Sequence, residues 1–430
     1  MAGMRASAHP VAALEHQHIV PEPDQFTGCG KPGETGPYHY DIGRPGRVGH
    51  AAQSTAWALR RLNRTARVSP QAGGTPSSGG YTTRIVVRRS SLKVFTALYG
   101  LADAADRARE LRDAGASGVA SFEGAHDVFA PLTLAATVGG LDLMTNVAIG
   151  FPRNPIHLAH QANDHQLLSS GRFILGLGTQ IRTQIEKRFG APFDKPVARM
   201  TELIAALRAI FAAWNSGERL NFRGDYYRHT LMTPTFNPGP NPYGPPPIYV
   251  GALGPRLTRA VAEHADGLLV MPFGSKRFLH DHTMPTVREA LRAGNRQTGD
   301  FTVLPEIIVS TGGTDAEREQ ADAGTRRLLA FYGSTPAYRP VLAAHGWEDL
   351  QPELNALSKQ GRWEEMGGLI DDEVLHTIAA CGTPADVARH IRDRVDGVAD
   401  TVCLYQPGPM GLDTLAAIID ELSPGSHRRD

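Results

Sequence analysis

From Leu92 onward the chain alternates short apolar runs with longer amphipathic ones, the pattern of strands and helices in parallel βαβ units. The apolar runs Leu92–Leu98, Gly118–Phe122, Leu141–Ile149, Phe173–Gly178, Pro247–Ala252, Gly267–Pro272, Val303–Ser310 and Thr401–Tyr405 read as eight strands. Between or beside them, Asp103–Ala114, Pro131–Val138, Pro155–Ser169, Ala198–Trp214, Arg256–His264, Pro285–Asn295, Ala316–Tyr332 and Pro384–Val395 carry helical patterning. Eight of each favour a closed (β/α)₈ TIM barrel over an open sheet. One αβ step is legible in full. Asn154-Pro155 opens a helix, Gly171 stops it, and a buried strand follows that ends in Gly176-Leu177-Gly178. In such a barrel the C-terminal strand ends carry the chemistry, so Gly176, Gly178 and Thr179 are expected to face a ligand.

Two long excursions follow strand ends, Gln180–Pro246 and Thr335–Leu375, and segments of this kind on a compact domain are usually lids or pocket walls. The barrel with these insertions spans residues 92–424. Residues 1–91 differ in kind: they hold 20 Gly or Pro and little periodicity, too little apolar pattern to offset chain entropy. They are expected to be disordered or loosely attached, either a basic arm or an upstream extension from a misassigned start.

Charge changes the picture only locally. Lys+Arg and Asp+Glu are 44 each, which argues against nucleic acid or an anionic membrane as partner. Residues 1–91 nevertheless carry 11 Lys or Arg against 5 Asp or Glu. Three separated cysteines, Cys29, Cys381 and Cys403, give neither a disulfide framework nor a CxxC site and point to a reducing cytoplasm. No apolar run is long enough for a membrane span, and Arg60-Arg61 is not followed by the apolar stretch of a secretory leader.

Candidate chemistry lies at the strand ends. Strand two is followed by Glu123-Gly124-Ala125-His126-Asp127, which positions His126 as hydrogen-bond partner or general base, or as a solvated loop residue. Glu123 would orient it, accept a proton or hold the loop. The third strand ends Thr145-Asn146-Val147-Ala148-Ile149-Gly150, with Phe151 to Pro155 leading into the next helix, a loop that can press backbone against a flat heterocycle or whose Arg153 caps a nearby carboxylate. Gly251-Ala252-Leu253-Gly254-Pro255 ends strand five, where glycines and a helix start let amides approach a phosphate. No metal site is expected: His157 and His160 share a helix face without the glutamate of an HExxH motif. No phosphate-binding Walker loop or nucleophile elbow is present in the sequence.

Taken in order, these pieces resemble the bacterial-luciferase-like superfamily of flavin- and coenzyme F420-dependent oxidoreductases over roughly Leu92 to Ala417. The matching residues are Glu123 to His126, Arg153-Asn154-Pro155, Leu168 to Gly178, Phe222 to Tyr227, Pro246 to Gly251 and His264 to Gly267. Phe331 to Tyr338 and His345-Gly346-Trp347 look like an actinobacterial subgroup described as F420-dependent. The resemblance implies a barrel binding a reduced flavin or deazaflavin in its mouth. His126 matches the strand-two histidine beside the ring, and Asn146-Val147 matches a site where relatives carry a non-prolyl cis peptide. Gly178-Thr179 match a strand-four cofactor contact, and Gly251 to Pro255 match a phosphate turn. Here Ala125 precedes the histidine where many relatives carry an acid.

The expectation is therefore hydride exchange between coenzyme F420 and a small organic substrate, with His126 and Glu123 managing the proton. Tryptophans of the second insertion, Trp347 and Trp363, either cover the apolar side of the site or form the insertion's core. Two alternatives stand beside it: an FMNH₂- and O₂-dependent monooxygenase, and a non-catalytic flavin- or deazaflavin-binding protein. The implied partners are the substrate, an F420 or flavin reductase, and a second copy in a homodimer.

Overall fold

The structure, a computed structural model, describes residues 91–408 and 410–423. The expected N-terminal extension lies outside the described residues except for Ser91. Strands β1 (Lys93–Ala97), β2 (Gly118–Ser121), β3 (Asp142–Thr145), β4 (Phe173–Gly178), β5 (Ile248–Ala252), β6 (Gly267–Val270), β7 (Thr302–Thr311) and β8 (Thr401–Tyr405) pair in parallel in that order. Closure is made by β1 against β8, with Lys93 opposite Thr401, and by β7 against both β6 and β8. The result is the expected (β/α)₈ barrel, and two strand boundaries, Phe173–Gly178 and Thr401–Tyr405, coincide with those read from the sequence.

Both faces of every strand are covered, which is why the runs are apolar rather than alternating. Phe95, Ala120, Met144, Tyr249, Leu269, Leu304 and Cys403 fill the barrel interior. The outer faces pack on helices α1 (Ala104–Asp113), α2 (Ala130–Ala136), α3 (Pro155–Leu168), α4 (Pro196–Ser216), α5 (Pro255–His264) and α6 (Met284–Ala293). The α3 start is built as expected: Asn154 accepts from the Ile156 amide at 2.9 Å and Pro155 occupies the first turn, where its missing N–H costs nothing.

Three elements depart from the sequence reading. The third strand is not continuous over Leu141–Ile149. It breaks at the cis Asn146-Val147 peptide, and Ala148–Ile149 resumes pairing against Leu177 and Gly178 of β4. Secondly, the helix read at Ala316–Tyr332, observed as α7 (Asp315–Gly333), packs on β7, where the Ser310 hydroxyl donates to Asp322, and also carries the insertion. Its buried residues Leu328, Leu329 and Ala330 join Val341, Leu342, Leu354, Met366 and Leu375 in a separate hydrophobic cluster, so the second insertion begins at α7 and has its own core. The crossover to β8 is made by α8 (Pro384–Val395). Thirdly, α9 (Leu412–Leu422) follows β8 and buries Leu415, Ile418, Ile419 and Leu422. Within the first insertion, Phe222–Arg223 and Arg228–His229 form a small hairpin whose turn is held by Glu202, which accepts from the amides of Asp225, Tyr226 and Tyr227 at 2.7–2.8 Å.

Candidate active site

The C-terminal ends of the strands open into a mouth with two chemically different halves. On the β3–β5 half, side chains are few. The break in the third strand leaves Val147 half-buried, with its methyl groups against the two glycines of the neighbouring strand ends. A Cβ on Gly178 would lie 2.4 Å from Val147 Cγ2, so glycine there is what leaves room for the valine. A Cβ on Gly251 would lie 3.6 Å from Val147 Cγ1, an ordinary contact, so Gly251 is spare for packing and leaves a flat, partly exposed surface. Thr179 borders this surface, half-buried. Gly176 sits deeper and serves the barrel itself. The Thr145 hydroxyl bonds both its amide, at 2.9 Å, and its carbonyl, at 2.7 Å, and a Cβ would lie 1.8 Å from the Thr145 carbonyl oxygen.

Beyond β5, Ala252 is buried, Leu253 packs toward the insertion core, and Gly254 and Pro255 are exposed at the start of α5. Gly254 occupies the N-cap without a side-chain acceptor, and the first intrahelical bond is made by the Thr258 amide to Gly254 at 3.0 Å. The amides before it are the groups a helix start offers to an anion.

At the β2 rim, Glu123 is committed to structure. Its two oxygens accept from Arg153 Nη1 at 2.8 Å and Nη2 at 2.9 Å, and Oε2 also accepts from the Ile149 amide at 3.1 Å. Arg153 in turn donates to the Ile149 carbonyl at 2.8 Å. With side chains only 11% and 17% exposed, this charge-assisted fork ties the β2 loop to the strand end carrying Val147. His126 is exposed on the same loop and makes no hydrogen bond among the described residues. Sequence reasoning named His126 and Glu123 as candidate acid–base residues, with Glu123 alternatively holding the loop; the structure bonds Glu123 to Arg153 and shows no hydrogen bond between Glu123 and His126 among the described residues.

The β7–β8–β1 half holds residues that the sequence reading did not single out. Strand alternation places Leu304, Glu306 and Ile308 on one face of β7, the first in the barrel interior and the last in the insertion core. Glu306, between them, is paired in register with Cys403 and remains only half-buried. The Asn146 side-chain amide lies against both its carboxyl and the Cys403 thiol, Nδ2 being 3.9 Å from Sγ. Four phenols surround it: Tyr99 after β1, Tyr405 at the end of β8, and Tyr332 and Tyr338 from the insertion. Tyr99 donates to the Gln406 carbonyl at 2.9 Å, Tyr332 and Tyr405 share a hydrogen bond, and Tyr332, Tyr338 and Phe273 pack tilted or edge-on with centroids 5.5–6.0 Å apart. Burial pushes the Glu306 carboxyl up to about 8, and Asn146 only partly opposes this. The same burial raises Tyr338 and Tyr405 to about 12, so the phenols stay neutral donors. The signal for this half was present in the sequence as a single carboxylate inside an otherwise apolar strand.

Trp347 stacks on His345 at 4.6 Å within the insertion, and Trp363 lies 40% exposed beside Phe331. Among the described residues no His, Cys, Asp and Glu group of three or more is gathered as for a metal, and no helix is long and apolar enough to cross a membrane.

A family model described as luciferase-like monooxygenase matches residues 80–401, three quarters of the chain. The chain belongs to this family. Among its relatives, an uncharacterised protein of Mycobacterium tuberculosis (strain ATCC 25618 / H37Rv) is 48% identical over 303 residues, covering 70% of this chain and 89% of that protein. The 5,10-methylenetetrahydromethanopterin reductase of Archaeoglobus fulgidus is 26% identical over 285 residues, with 63% and 80% covered. The F420-dependent glucose-6-phosphate dehydrogenase of Nakamurella multipartita is 31% identical over 199 residues, 45% of this chain and 54% of that one. In fold, the chain is similar to the coenzyme F420 dependent tetrahydromethanopterin reductase from Methanopyrus kandleri, with a TM-score of 0.64 at 18% identity over 77% of this chain and 98% of that one. The family fold thus accounts for the barrel and its mouth.

Proposed function

We propose that this protein is an F420-dependent oxidoreductase that moves a hydride between the deazaflavin and a small organic substrate. The observation that carries the reading is the half-buried Val147 set between Gly178 and Gly251 at the open end of the barrel, an apolar support with no side chain on either side of it. The F420-dependent dehydrogenase among the relatives supports the choice of deazaflavin. The residues present fit the group: the ring system would rest on Val147, Gly178 and Gly251, Thr179 would border it, and the phosphate-bearing tail would reach the Gly254-Pro255 helix start. Bound F420 supplies or accepts a hydride at its ring carbon C5, and the protein supplies orientation and proton management.

The chain's own residues divide these tasks. Val147 fixes the depth at which a ring can lie, and the glycines on either side let it approach the backbone. Glu123, through Arg153 and the Ile149 amide, holds that support in place and so acts as a positioning residue. His126, exposed on the tethered loop, would touch the ligand from the rim. The insertion lines the opposite wall with Tyr332 and Tyr338, whose rings pack on Phe273.

An FMN-dependent monooxygenase is the second reading, favoured by the description of the matching family. Titration of the purified protein with oxidised F420 and with FMN, followed by visible-band shifts, separates the two. Tight F420 binding with weak FMN binding is expected. Preferred FMN binding with substrate-dependent oxygen uptake overturns the F420 reading.

A further inference from the structure

We infer that Glu306 is the acid of this site: a neutral carboxyl at the floor of the mouth that gives its proton to a substrate oxygen or nitrogen while the adjoining carbon takes a hydride. The inference deepens the oxidoreductase reading and rests on it for the hydride. Three features of the geometry carry it. Glu306 lies where the barrel interior gives way to the mouth, between Leu304 below and Ile308 above, and it keeps contact with open space. Its neighbours from every surrounding element are neutral: Tyr99 from beyond β1, Asn146 from the third strand, Tyr332 and Tyr338 from the insertion, and Cys403 and Tyr405 from β8. The buried guanidinium beside the same crevice, Arg394, is committed elsewhere, donating to the carbonyls of Gly274, Thr377 and Ile378 and to His390.

A carboxyl enclosed in this way without a cation keeps its proton at neutral pH, consistent with its rise to about 8, and a neutral carboxylic acid donates where a carboxylate only accepts. Its strand lies opposite the third strand in the barrel order, and the Asn146 amide, next to Val147, reaches its carboxyl, so a ligand resting on Val147 would have the acid beside it. For a carbonyl substrate reduced by reduced deazaflavin, the hydride pair forms the new C–H bond and the C=O π pair moves to oxygen. The Glu306 proton forms the O–H bond. The carboxylate left behind is reprotonated from solvent through its exposed edge. Run backwards, the carboxylate takes the alcohol proton as the hydride departs. An imine follows the same balance at nitrogen.

The test begins on the protein without cofactor. Infrared difference spectra between pH 6 and pH 10 should show a protonated-carboxyl C=O band that disappears with a midpoint near 8 and is missing from E306Q. N,N′-dicyclohexylcarbodiimide, which attacks protonated carboxyls, should label the Glu306 peptide at pH 6.5 and fail to do so at pH 10. Neither readout needs F420, so a protein that proves to prefer FMN would still give both, and the two failures remain distinguishable. With a carbonyl substrate turned over by reduced F420, E306Q should lose about 10²–10⁴-fold in kcat, while KM and F420 affinity change less than about threefold. E306D, which keeps the acid, should recover part of that rate and retain a pH profile that E306Q lacks. A carboxyl already ionised at pH 6, or an E306Q variant that is folded and keeps wild-type kcat, overturns the inference.

Discussion

The two halves of the mouth are made in opposite ways. On the β3–β5 half the surface is defined by what is missing: Gly176 and Gly178 let strand ends and one valine lie closer than any side chain would allow, and Gly251 adds no side chain beside them. On the β7–β8–β1 half it is defined by what is present, a carboxyl and four phenols crowded where apolar residues would pack more cheaply. The first arrangement suits a rigid support for a planar group, and the second suits proton transfer. On the proposed function, holding and chemistry fall on different halves of one barrel end, and substitutions on each half should fail differently.

The largest effect is expected at Gly176. An added Cβ would meet the Thr145 carbonyl oxygen at 1.8 Å and Leu269 Cδ1 at 2.8 Å, and backbone at the seam of two strands cannot give way. Gly176→Ala should cost about 4 kcal/mol or more and leave little soluble protein, read by denaturant unfolding and yield. A well-folded variant would show that the β3–β4 seam is softer than its hydrogen bonds imply.

Next comes the tether behind the support. Arg153→Met leaves Glu123 with the Ile149 amide alone, in a place where both side chains are mostly buried, and should destabilise by about 3 kcal/mol. Cofactor binding should weaken with it, because the strand end bearing Val147 loses its anchor. If thermal unfolding shifts and affinity does not, Glu123 holds the fold and not the site.

At Gly178 the clash is with a side chain, Val147 Cγ2 at 2.4 Å, which can shift by rotation. Gly178→Ala should therefore cost only about 1–3 kcal/mol, the range for overpacking, while lowering F420 affinity by more than tenfold in the titration. The contrast with Gly176 was not legible beforehand. Both glycines stand in the same Gly-Leu-Gly strand end, and spacing alone places both before the ligand. Only the register against Thr145 and Val147 shows that one serves the seam and the other the surface. Other parts of the fold were open to reading because their cause is local: eight apolar runs, a proline-started α3, a glycine stop. What escaped depended on distant partners. The α7 pattern is that of any barrel helix, and its assignment to the insertion follows from Val341, Leu354 and Met366, which come later in the chain. Glu306 and its tyrosines come from four separate segments, and nothing in any one of them announces the others. The α9 run is absent from the eight helices read from the sequence, although Leu412, Leu415, Ile418, Ile419 and Leu422 lie on one helical stripe behind Gly411.

The acid half should be recognised by the pH dependence of its stability. Unfolded, the Glu306 carboxyl ionises near 4.5; folded, it holds its proton to about 8. Between those values the native state binds the extra proton, so this group's contribution to stability falls as pH rises and levels off above 8. E306Q removes that dependence. Its melting temperature relative to wild type should rise from pH 5 to pH 8 and then stay level. A difference that does not vary with pH would mean that the carboxyl is ionised throughout.

The smallest change in stability is expected at Gly251, and it is the sharpest test of the division. A methyl there meets Val147 Cγ1 at 3.6 Å, Leu177 O at 3.7 Å and Met271 Sδ at 4.0 Å, all ordinary contacts, at a residue whose φ is not in the left-handed region. Gly251→Ala should leave stability within about 0.5 kcal/mol, or raise it slightly by restricting the unfolded chain. If the flat surface between Val147 and Gly251 is where a ring rests, the same methyl stands between ring and backbone, and F420 affinity should fall several-fold without any loss of fold. Unchanged affinity in a fully stable variant would move the ring off this surface, and the separation of support from acid would have to be redrawn around the phenols.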